Sequence, residues 1–133
     1  MFKFSKRSLK RMEGVDENLI SIAKEALSLS KIDFGIPQYG GLRREDEQHK
    51  LFLDGKSKAD GLYKKSYHQS GKALDVYAYV DGKASWSVEH LSQIACAMFQ
   101  AAINQGVKLE WGGLWKNFID MPHFQVKNEN KDD

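Results

Sequence analysis

The sequence predicts an α+β domain in which about three helices pack on a small, mostly antiparallel sheet. Long segments place apolar residues at helical spacing, and short strand-like segments between them are bounded by glycine or proline. The 133 residues are enough for one hydrophobic core, and no repeat or linker divides them. We therefore expect a single domain over residues 1–127 and a charged, frayed tail over residues 128–133.

Three helices are predicted from apolar periodicity and from capping residues. Residues 15–30 carry apolar side chains at helical spacing behind Asp16, a candidate N-cap. Residues 44–55, REDEQHKLFLDG, form a second helix that ends in a glycine. The longest helix follows Ser87, a candidate N-cap, and stops at Gly106.

The predicted strands are short. IDFGIP, at residues 32–37, is a strand stopped by its proline. Residues 73–80 form another strand, and the Asp-Gly pair at residues 81–82 predicts a hairpin turn after it. VKLEWGG, at residues 107–113, leads into a glycine turn, and HFQV, at residues 123–126, is the last strand.

Composition narrows the possible classes of protein. Hydrophobic residues make up 41% of the chain and charged residues 29%, which is typical of a globular protein rather than a disordered one. The net charge is only +2, and the lysines are interleaved with acids, so we do not expect a nucleic-acid binder with a dense basic face. The one cysteine, Cys96, lies in an apolar helical segment and is expected to pack in the core.

The sequence shows no membrane-spanning or targeting segment. No apolar run approaches the length that crosses a bilayer, so we expect no stable membrane insertion. The opening MFKFSKRSLKRM is basic, but it has no apolar h-region and no small-residue cleavage site. We therefore expect no signal peptide, and a target outside the cytoplasm would require delivery by another protein.

A histidine and an aspartate flank a glycine turn in SYHQSGKALDVYAYVDG, residues 66–82. Asp75 is a carboxylate within an apolar strand, and an unpaired buried carboxylate costs several kcal/mol. It therefore needs a partner. A zinc ion shared with His68 would supply one, and so would a plain hydrogen bond to His68 or an ion pair with a lysine.

FIDMPHFQV, residues 118–126, adds a second histidine and a second aspartate. His123 would complete a set of two imidazoles and one carboxylate, the number of protein ligands that a catalytic zinc uses. Asp120 lies on a loop that can fold back beside such a site, where it could accept a proton from water. These residue types also fit an ordinary strand-end histidine and a turn aspartate.

Four segments together resemble a known family of zinc peptidases. SYHQSGKALD is similar to the pattern Ser-x-His-x-x-Gly-x-Ala-x-Asp of VanY-type D-Ala-D-Ala carboxypeptidases and phage L-alanyl-D-glutamate endolysins. EWGGLWKNFIDMPHFQ resembles the closing segment of that family, and GLRREDEQHKLFLDGKSK resembles its Gly-x-Arg-x-x-x-x-Gln segment. The opening of the chain also resembles phage and prophage endolysins, so the likeness extends up to the tail.

The resemblance implies roles for individual residues. His68, Asp75 and His123 correspond to the three zinc ligands of the family, at the edge of the sheet. Asp120 corresponds to the catalytic base. Arg43 corresponds to an arginine near the substrate that polarises the scissile carbonyl or holds a substrate carboxylate.

Other assignments from the resemblance are less direct. Ser66 matches the motif serine, and Trp115 is a candidate wall of the substrate cleft. The segment around the glycines before Arg43 is longer than usual in the family, so the adjacent Arg44 is an alternative to Arg43. Glu110, which also precedes a glycine turn, is the rival to Asp120 as the base.

The resemblance implies a zinc peptidase that cuts the stem peptide of peptidoglycan, most closely an endolysin that cleaves the L-alanyl-D-glutamate bond. The alternatives are a D-Ala-D-Ala carboxypeptidase with the same site and a non-catalytic wall-binding module with a structural zinc. We expect a monomer that stays in the host cytoplasm until a holin releases it to the periplasm or cell wall. Peptidoglycan is the expected partner.

Overall fold

The computed structural model describes residues 1–127, and the tail expected at residues 128–133 lies outside the described residues. Within that range the chain forms four α-helices and six β-strands. The helices are α1 (Lys6–Arg11), α2 (Glu17–Leu29), α3 (Glu45–Leu53) and α4 (Val88–Gln105). The strands are β1 (Asp33–Gly35), β2 (Ala73–Asp75), β3 (Tyr77–Val80), β4 (Lys83–Ser85), β5 (Leu109–Trp111) and β6 (His123–Val126).

The strands form two antiparallel sheets rather than the single sheet expected from the sequence. One has the order β1-β3-β4 and the other the order β2-β6-β5. The predicted strand at 73–80 is interrupted at Val76, whose N–H donates to the carbonyl of Pro122. This residue carries the chain from one sheet to the other. The α+β class is confirmed, with antiparallel pairing throughout both sheets.

Two helices and the inner faces of the sheets form the core. α2 and α4 pack against each other, and each contributes its apolar stripe. The predicted caps are confirmed, because Asp16 and Ser87 accept hydrogen bonds from N–H groups of α2 and α4. The hairpin is confirmed as well, with Asp81 and Gly82 both at positive φ, as a type I′ turn requires.

Two features of the helices differ from expectation. α1 was not predicted, because six residues are too few to show an apolar period. Cys96 is exposed, so the expectation of a core thiol is wrong. It lies in an apolar stretch of α4, but the buried stripe passes through Ala95 and Ala97 on either side of it. In the described part of the chain, no helix is both long and apolar enough to span a bilayer.

A short turn at Tyr67–Ser70 is fixed to the start of α2. The 3₁₀ turn ends at Gly71, which has φ +73°, and a Cβ there would lie 2.5 Å from the carbonyl oxygen of Gly14. The carbonyl of Gly71 accepts the N–H of Asp16 at 2.8 Å. Lys72 Nζ lies 2.6 Å from Asp16 Oδ2. Asp16 therefore both caps α2 and holds the turn against it.

Replacement of Asp16 tests this double role. Asp16→Ala removes the cap and the ion pair, and we expect it to lower the free energy of unfolding by about 0.5–2 kcal/mol. Asp16→Asn keeps a capping oxygen and loses only the charge, so we expect a smaller loss, within about 1 kcal/mol. Urea denaturation of both variants measures the difference, and equal losses would contradict the capping role.

Candidate metal centre and catalytic cleft

His68 is buried and its ring orientation is fixed by the backbone. It lies in the turn at Tyr67–Ser70, where Ser66 Oγ accepts its N–H at 3.2 Å. The ring is only 2% exposed, and its Nδ1 lies 2.9 Å from the carbonyl oxygen of Gly41. Because a carbonyl can only accept, Nδ1 carries the proton. Nε2 is then a free lone pair that faces inward.

His123 and Asp75 are brought together by strand pairing. They lie directly opposite each other in the antiparallel pair of β2 and β6. His123 Nε2 lies 2.7 Å from Gln125 Oε1, so this nitrogen donates and Nδ1 is left as the lone pair. Asp75 lies on an edge strand and His123 opens the central strand, which confirms the expectation of a site at the sheet edge.

The three ring and carboxylate atoms that carry free lone pairs form a nearly equilateral triangle. His68 Nε2 lies 3.3 Å from His123 Nδ1, and each of these nitrogens lies 3.2 Å from Asp75 Oδ1. With the outer nitrogens protonated, the triangle consists of three hydrogen-bond acceptors and no donor. Acceptors this close repel one another unless a positive charge lies between them. The three residues therefore form a group that could hold a divalent metal ion.

The electrostatics of the triangle favour a cation. Burial opposes ionisation of Asp75, but protonation of His68 or His123 would place a positive charge and a hydrogen-bond donor beside its carboxylate. These effects outweigh burial and hold the pKa of Asp75 well below its usual range. Burial lowers the pKa of His123, yet the hydrogen bond and charge of Asp75 raise it overall. The triangle thus attracts either a proton or a metal ion.

Comparison with known proteins identifies the family. The family model of the phage L-alanyl-D-glutamate peptidase matches residues 1–129 of the chain. The chain belongs to this family. The L-alanyl-D-glutamate peptidase of Escherichia phage T5 is 33% identical over 132 residues, which cover 98% of this chain and 93% of the phage protein.

Cellular relatives of this peptidase extend the likeness. The peptidoglycan L-alanyl-D-glutamate endopeptidase CwlK of Bacillus subtilis is 30% identical over 112 residues, 77% of this chain and 66% of that protein. The crystal structure of the Serratia marcescens L-Ala D-Glu endopeptidase ChiX superposes with a TM-score of 0.83 at 35% identity. That match covers 95% of this chain and 90% of the neighbour.

Asp120 lies beside the triangle of this peptidase and not within it. Its Oδ2 is 3.8 Å from His123 Nδ1, and its side chain is one-third exposed. Burial, together with the negative charge of Asp75, raises the pKa of Asp120 above its ordinary value. A carboxylate with a raised pKa that opens onto a cleft is suited to accept and return a proton.

The glycine turn before Asp120 explains the Trp-Gly-Gly motif. The carbonyl of Gly112 accepts the N–H of Asp120 at 2.9 Å, and a Cβ on Gly112 would lie 2.3 Å from the carbonyl oxygen of Asp120. Trp111 stacks on Phe124 and donates its indole N–H to the carbonyl of Met121 at 2.7 Å. Trp111 is therefore a structural support, and the turn presses the Asp120 loop against the sheet.

Arg43 reaches the same site from the other side. Its Nη2 lies 3.2 Å from Asp75 Oδ2, its Nη1 donates to Gln48 Oε1 at 3.0 Å, and its Nε donates to the carbonyl of Tyr39 at 2.7 Å. Burial lowers the pKa of Arg43, although three carboxylates oppose that shift. The guanidinium thus orients the carboxylate of Asp75, and two of its five N–H donors are left over.

Of the two adjacent arginines, only one lies in the site. The side chain of Arg44 is 74% exposed and pairs with Asp46 and Glu47 at the start of α3. Glu110, the rival base, accepts the indole N–H of Trp115 at 3.1 Å. Its carboxylate is therefore engaged in holding a cleft residue.

A cleft of about 230 Å³ opens onto the triangle. Ser66 and Trp115, the expected substrate residues, both line it, and the Trp115 ring lies 5.2 Å from the ring of His123. Two loops meet over the cleft, where Lys58 Nζ lies 4.8 Å from the centre of the Phe118 ring.

Two glutamines of the site were not predicted. Gln48 is fully buried, accepts from Arg43, and donates to Ser57 Oγ and to the carbonyl of Ala59, both at 2.8 Å. It thereby connects the arginine to a loop that lines the cleft. Gln125 sets the tautomer of His123. Gln48 could have been predicted because it is the glutamine of the Gly-x-Arg-x-x-x-x-Gln segment. Gln125 could have been predicted because it lies two residues after His123, on the same face of the strand.

Replacement of Gln125 tests the role of the tautomer. Gln125→Leu removes the acceptor for His123 Nε2, and we expect about 10–100-fold weaker metal binding, measured by competition with a chelator. Gln125→Glu keeps an acceptor at the same place and should restore the affinity. Equal affinity in the leucine variant would contradict the role assigned to Gln125.

Replacement of Gly112 tests whether the position of Asp120 affects turnover independently of metal binding. Gly112→Ala must displace the Asp120 loop, because the added Cβ meets a backbone carbonyl rather than a flexible side chain. We expect metal binding within about threefold of the parent chain and a loss of turnover of tenfold or more, since small displacements of a catalytic group are costly. The expectation fails if metal binding and turnover fall together.

Proposed function

We propose that the chain is a zinc-dependent peptidase that hydrolyses the L-alanyl-D-glutamate bond in the stem peptide of peptidoglycan. The observation that carries the proposal is the triangle of His68 Nε2, His123 Nδ1 and Asp75 Oδ1, found in a member of the L-alanyl-D-glutamate peptidase family. The relatives named for this bond and for peptidoglycan support the choice of substrate.

The donor set fits zinc. Ligands at 2.0–2.1 Å in tetrahedral geometry lie about 3.3–3.4 Å apart, and the donor atoms here are separated by 3.2–3.3 Å. Structural zinc sites use four protein ligands, whereas catalytic sites use three and leave a position for solvent or substrate. The three ligands beside an open cleft therefore favour an enzyme over a wall-binding module with a structural zinc.

The residues of the chain divide the reaction between them. A zinc ion at the triangle would supply a Lewis acid for an amide carbonyl. Asp120 takes a proton from the attacking water and returns it to the amine of the departing D-glutamate. Arg43 fixes Asp75 through one N–H, and its unused donors can reach a substrate oxygen in the cleft. Ser66 and Trp115 form walls that hold the stem peptide.

The setting of the reaction follows from the substrate. We propose that a monomer acts on the cell wall as an endolysin, after a holin has released it from the host cytoplasm. Terminal D-Ala-D-Ala cleavage by the same site remains the alternative reaction. Mass spectrometry of digested peptidoglycan separates the two, since one releases peptides that begin with D-glutamate and the other releases free D-alanine.

Replacement of Asp120 tests the proposed base. Asp120→Asn keeps the shape of the side chain but removes the proton acceptor, so turnover on purified peptidoglycan should fall about 10²–10⁴-fold. Metal analysis should still find the ion, because Asp120 lies outside the triangle. His68→Ala should lose both the ion and the activity.

Glu110→Gln is the matched control for that experiment. The glutamine oxygen can still accept the indole N–H of Trp115, so this variant should keep most of its turnover. The reverse pattern, with an active Asp120→Asn and an inactive Glu110→Gln, would assign the base to Glu110. Full activity after exhaustive treatment with a strong chelator would overturn the metallopeptidase itself.

A further inference from the structure

A second groove, of about 480 Å³, lies between the N-terminal segment and the sheet β1-β3-β4. We call it the N-terminal groove. One wall is formed by residues 3–8 at the start of α1, and the opposite wall by Tyr77 and Tyr79 of β3. None of the cleft-lining residues takes part in it, so it is separate from the catalytic site.

The N-terminal groove carries uncompensated positive charge. Lys3, Lys6 and Arg7 line it, and all three are exposed. Among the described residues, none of the three has a carboxylate within ion-pair distance. Asp33 is the one acidic residue of the lining. By contrast, Arg43 in the catalytic cleft is paired with Asp75.

The opposite wall is aromatic. Tyr77 and Tyr79 are two residues apart on one strand, so they share a face. Tyr79 is 46% exposed, and the neighbouring Trp86, 52% exposed, packs on Tyr77 with 5.9 Å between the ring centres. Exposed flat rings with polar tips suit a ligand that has apolar faces and hydroxyl edges, as sugar rings do.

We propose that the N-terminal groove binds the glycan strand of peptidoglycan from which stem peptides have been cut. This inference rests on the proposed function. Hydrolysis of the L-alanyl-D-glutamate bond leaves L-alanine on the lactyl group of the sugar with a new carboxylate, and gives the amine to D-glutamate. Each cut therefore places a carboxylate directly on the lactyl group of the sugar. Sugar rings pack on the tyrosines, and the new carboxylates pair with Lys6 and Arg7.

Such a groove would hold the enzyme on the strand that it is trimming. The affinity for the wall would rise as cuts accumulate, because each cut creates a carboxylate that the unpaired cations attract. Uncut strands, with their lactyl groups blocked by stems, would bind less well. The single domain would thereby act at neighbouring stems before it leaves the strand.

The test uses the full chain, and its probe ligands contain no L-alanyl-D-glutamate bond that the enzyme could cut. The probe is a synthetic tetrasaccharide of alternating N-acetylglucosamine and N-acetylmuramoyl-L-alanine, and its uncharged counterpart is a chitin tetrasaccharide. Calorimetry should show at least tenfold tighter binding of the charged sugar. Tyr79→Ala and the pair Lys6→Glu with Arg7→Glu should each weaken that binding tenfold or more. Tyr63→Ala and Lys108→Glu, both exposed and outside the groove, should not change it.

Activity separates this inference from the proposed function. In the otherwise unaltered enzyme, the groove variants should cleave a short soluble muramyl peptide at the parental rate and release stems from whole sacculi several-fold more slowly. Equal binding of both sugars, or unaltered binding by the groove variants, would overturn the groove. So would variant-sensitive binding to phosphatidylglycerol vesicles without sugar binding. A parent chain that releases no D-glutamate amino termini would instead sink the proposed function.

Discussion

Two protons on the outer nitrogens of two buried histidines determine the chemistry of this site. The carbonyl of Gly41 accepts a hydrogen bond from His68 Nδ1–H, and Gln125 Oε1 accepts one from His123 Nε2–H. Each ring is then forced to turn a lone pair toward Asp75. A cluster of acceptors without a donor is unfavourable in a buried place unless a cation is present. The fold is therefore more stable with a positive charge bound at the centre of the triangle than without one.

The sheet β2-β6-β5 and the glycines at residues 40 and 41 together position the triangle. Antiparallel pairing sets Asp75 opposite His123, and the backbone carbonyl of Gly40 accepts the N–H of Asp75 at 2.8 Å. The next residue, Gly41, orients His68. A loop that is far from both strands in sequence therefore controls two of the three ligands through its backbone. A side chain larger than glycine does not fit at Gly40 or Gly41. The hydrogen bonds to Asp75 and His68 depend only on where the carbonyls of these two residues lie.

The sequence was a good guide wherever chemistry is carried by side-chain type and spacing. It predicted the α+β class, the caps Asp16 and Ser87, and the hairpin turn, because capping and turn residues leave a local mark. From the residues alone Asp75 only needed a partner, and the resemblance to the peptidase family named His68 and His123, which the structure places beside it. It could not predict that the strand at 73–80 divides between two sheets, because this depends on the distant carbonyl of Pro122.

The same limit applies to residues that act through others. The role of Gln48 depends on a hydrogen bond to Arg43 and on contacts with a loop about ten residues ahead, and no periodicity reports such contacts. Cys96 shows the converse failure. An apolar neighbourhood in sequence predicts burial, yet the angular position of Cys96 on α4 places its thiol outside the buried stripe. Apolar periodicity predicts which face of a helix is buried. Whether a side chain at the edge of that face is buried depends on the elements that pack against it.

The charges around the triangle bear on the proposed role of Asp120 as a base. With neutral histidines, Asp75 and Asp120 carry two negative charges and Arg43 carries one positive charge, so the site is one charge short of neutral. A divalent ion at the triangle would turn that into one net positive charge, the sign that stabilises an oxyanion on the substrate. Arg43 already engages Asp75 Oδ2, which leaves Oδ1 for the ion. The backbone N–H of Asp120 donates to the carbonyl of Gly112, and its carboxylate lies 3.8 Å from His123 Nδ1, the position that the proposed proton transfer requires.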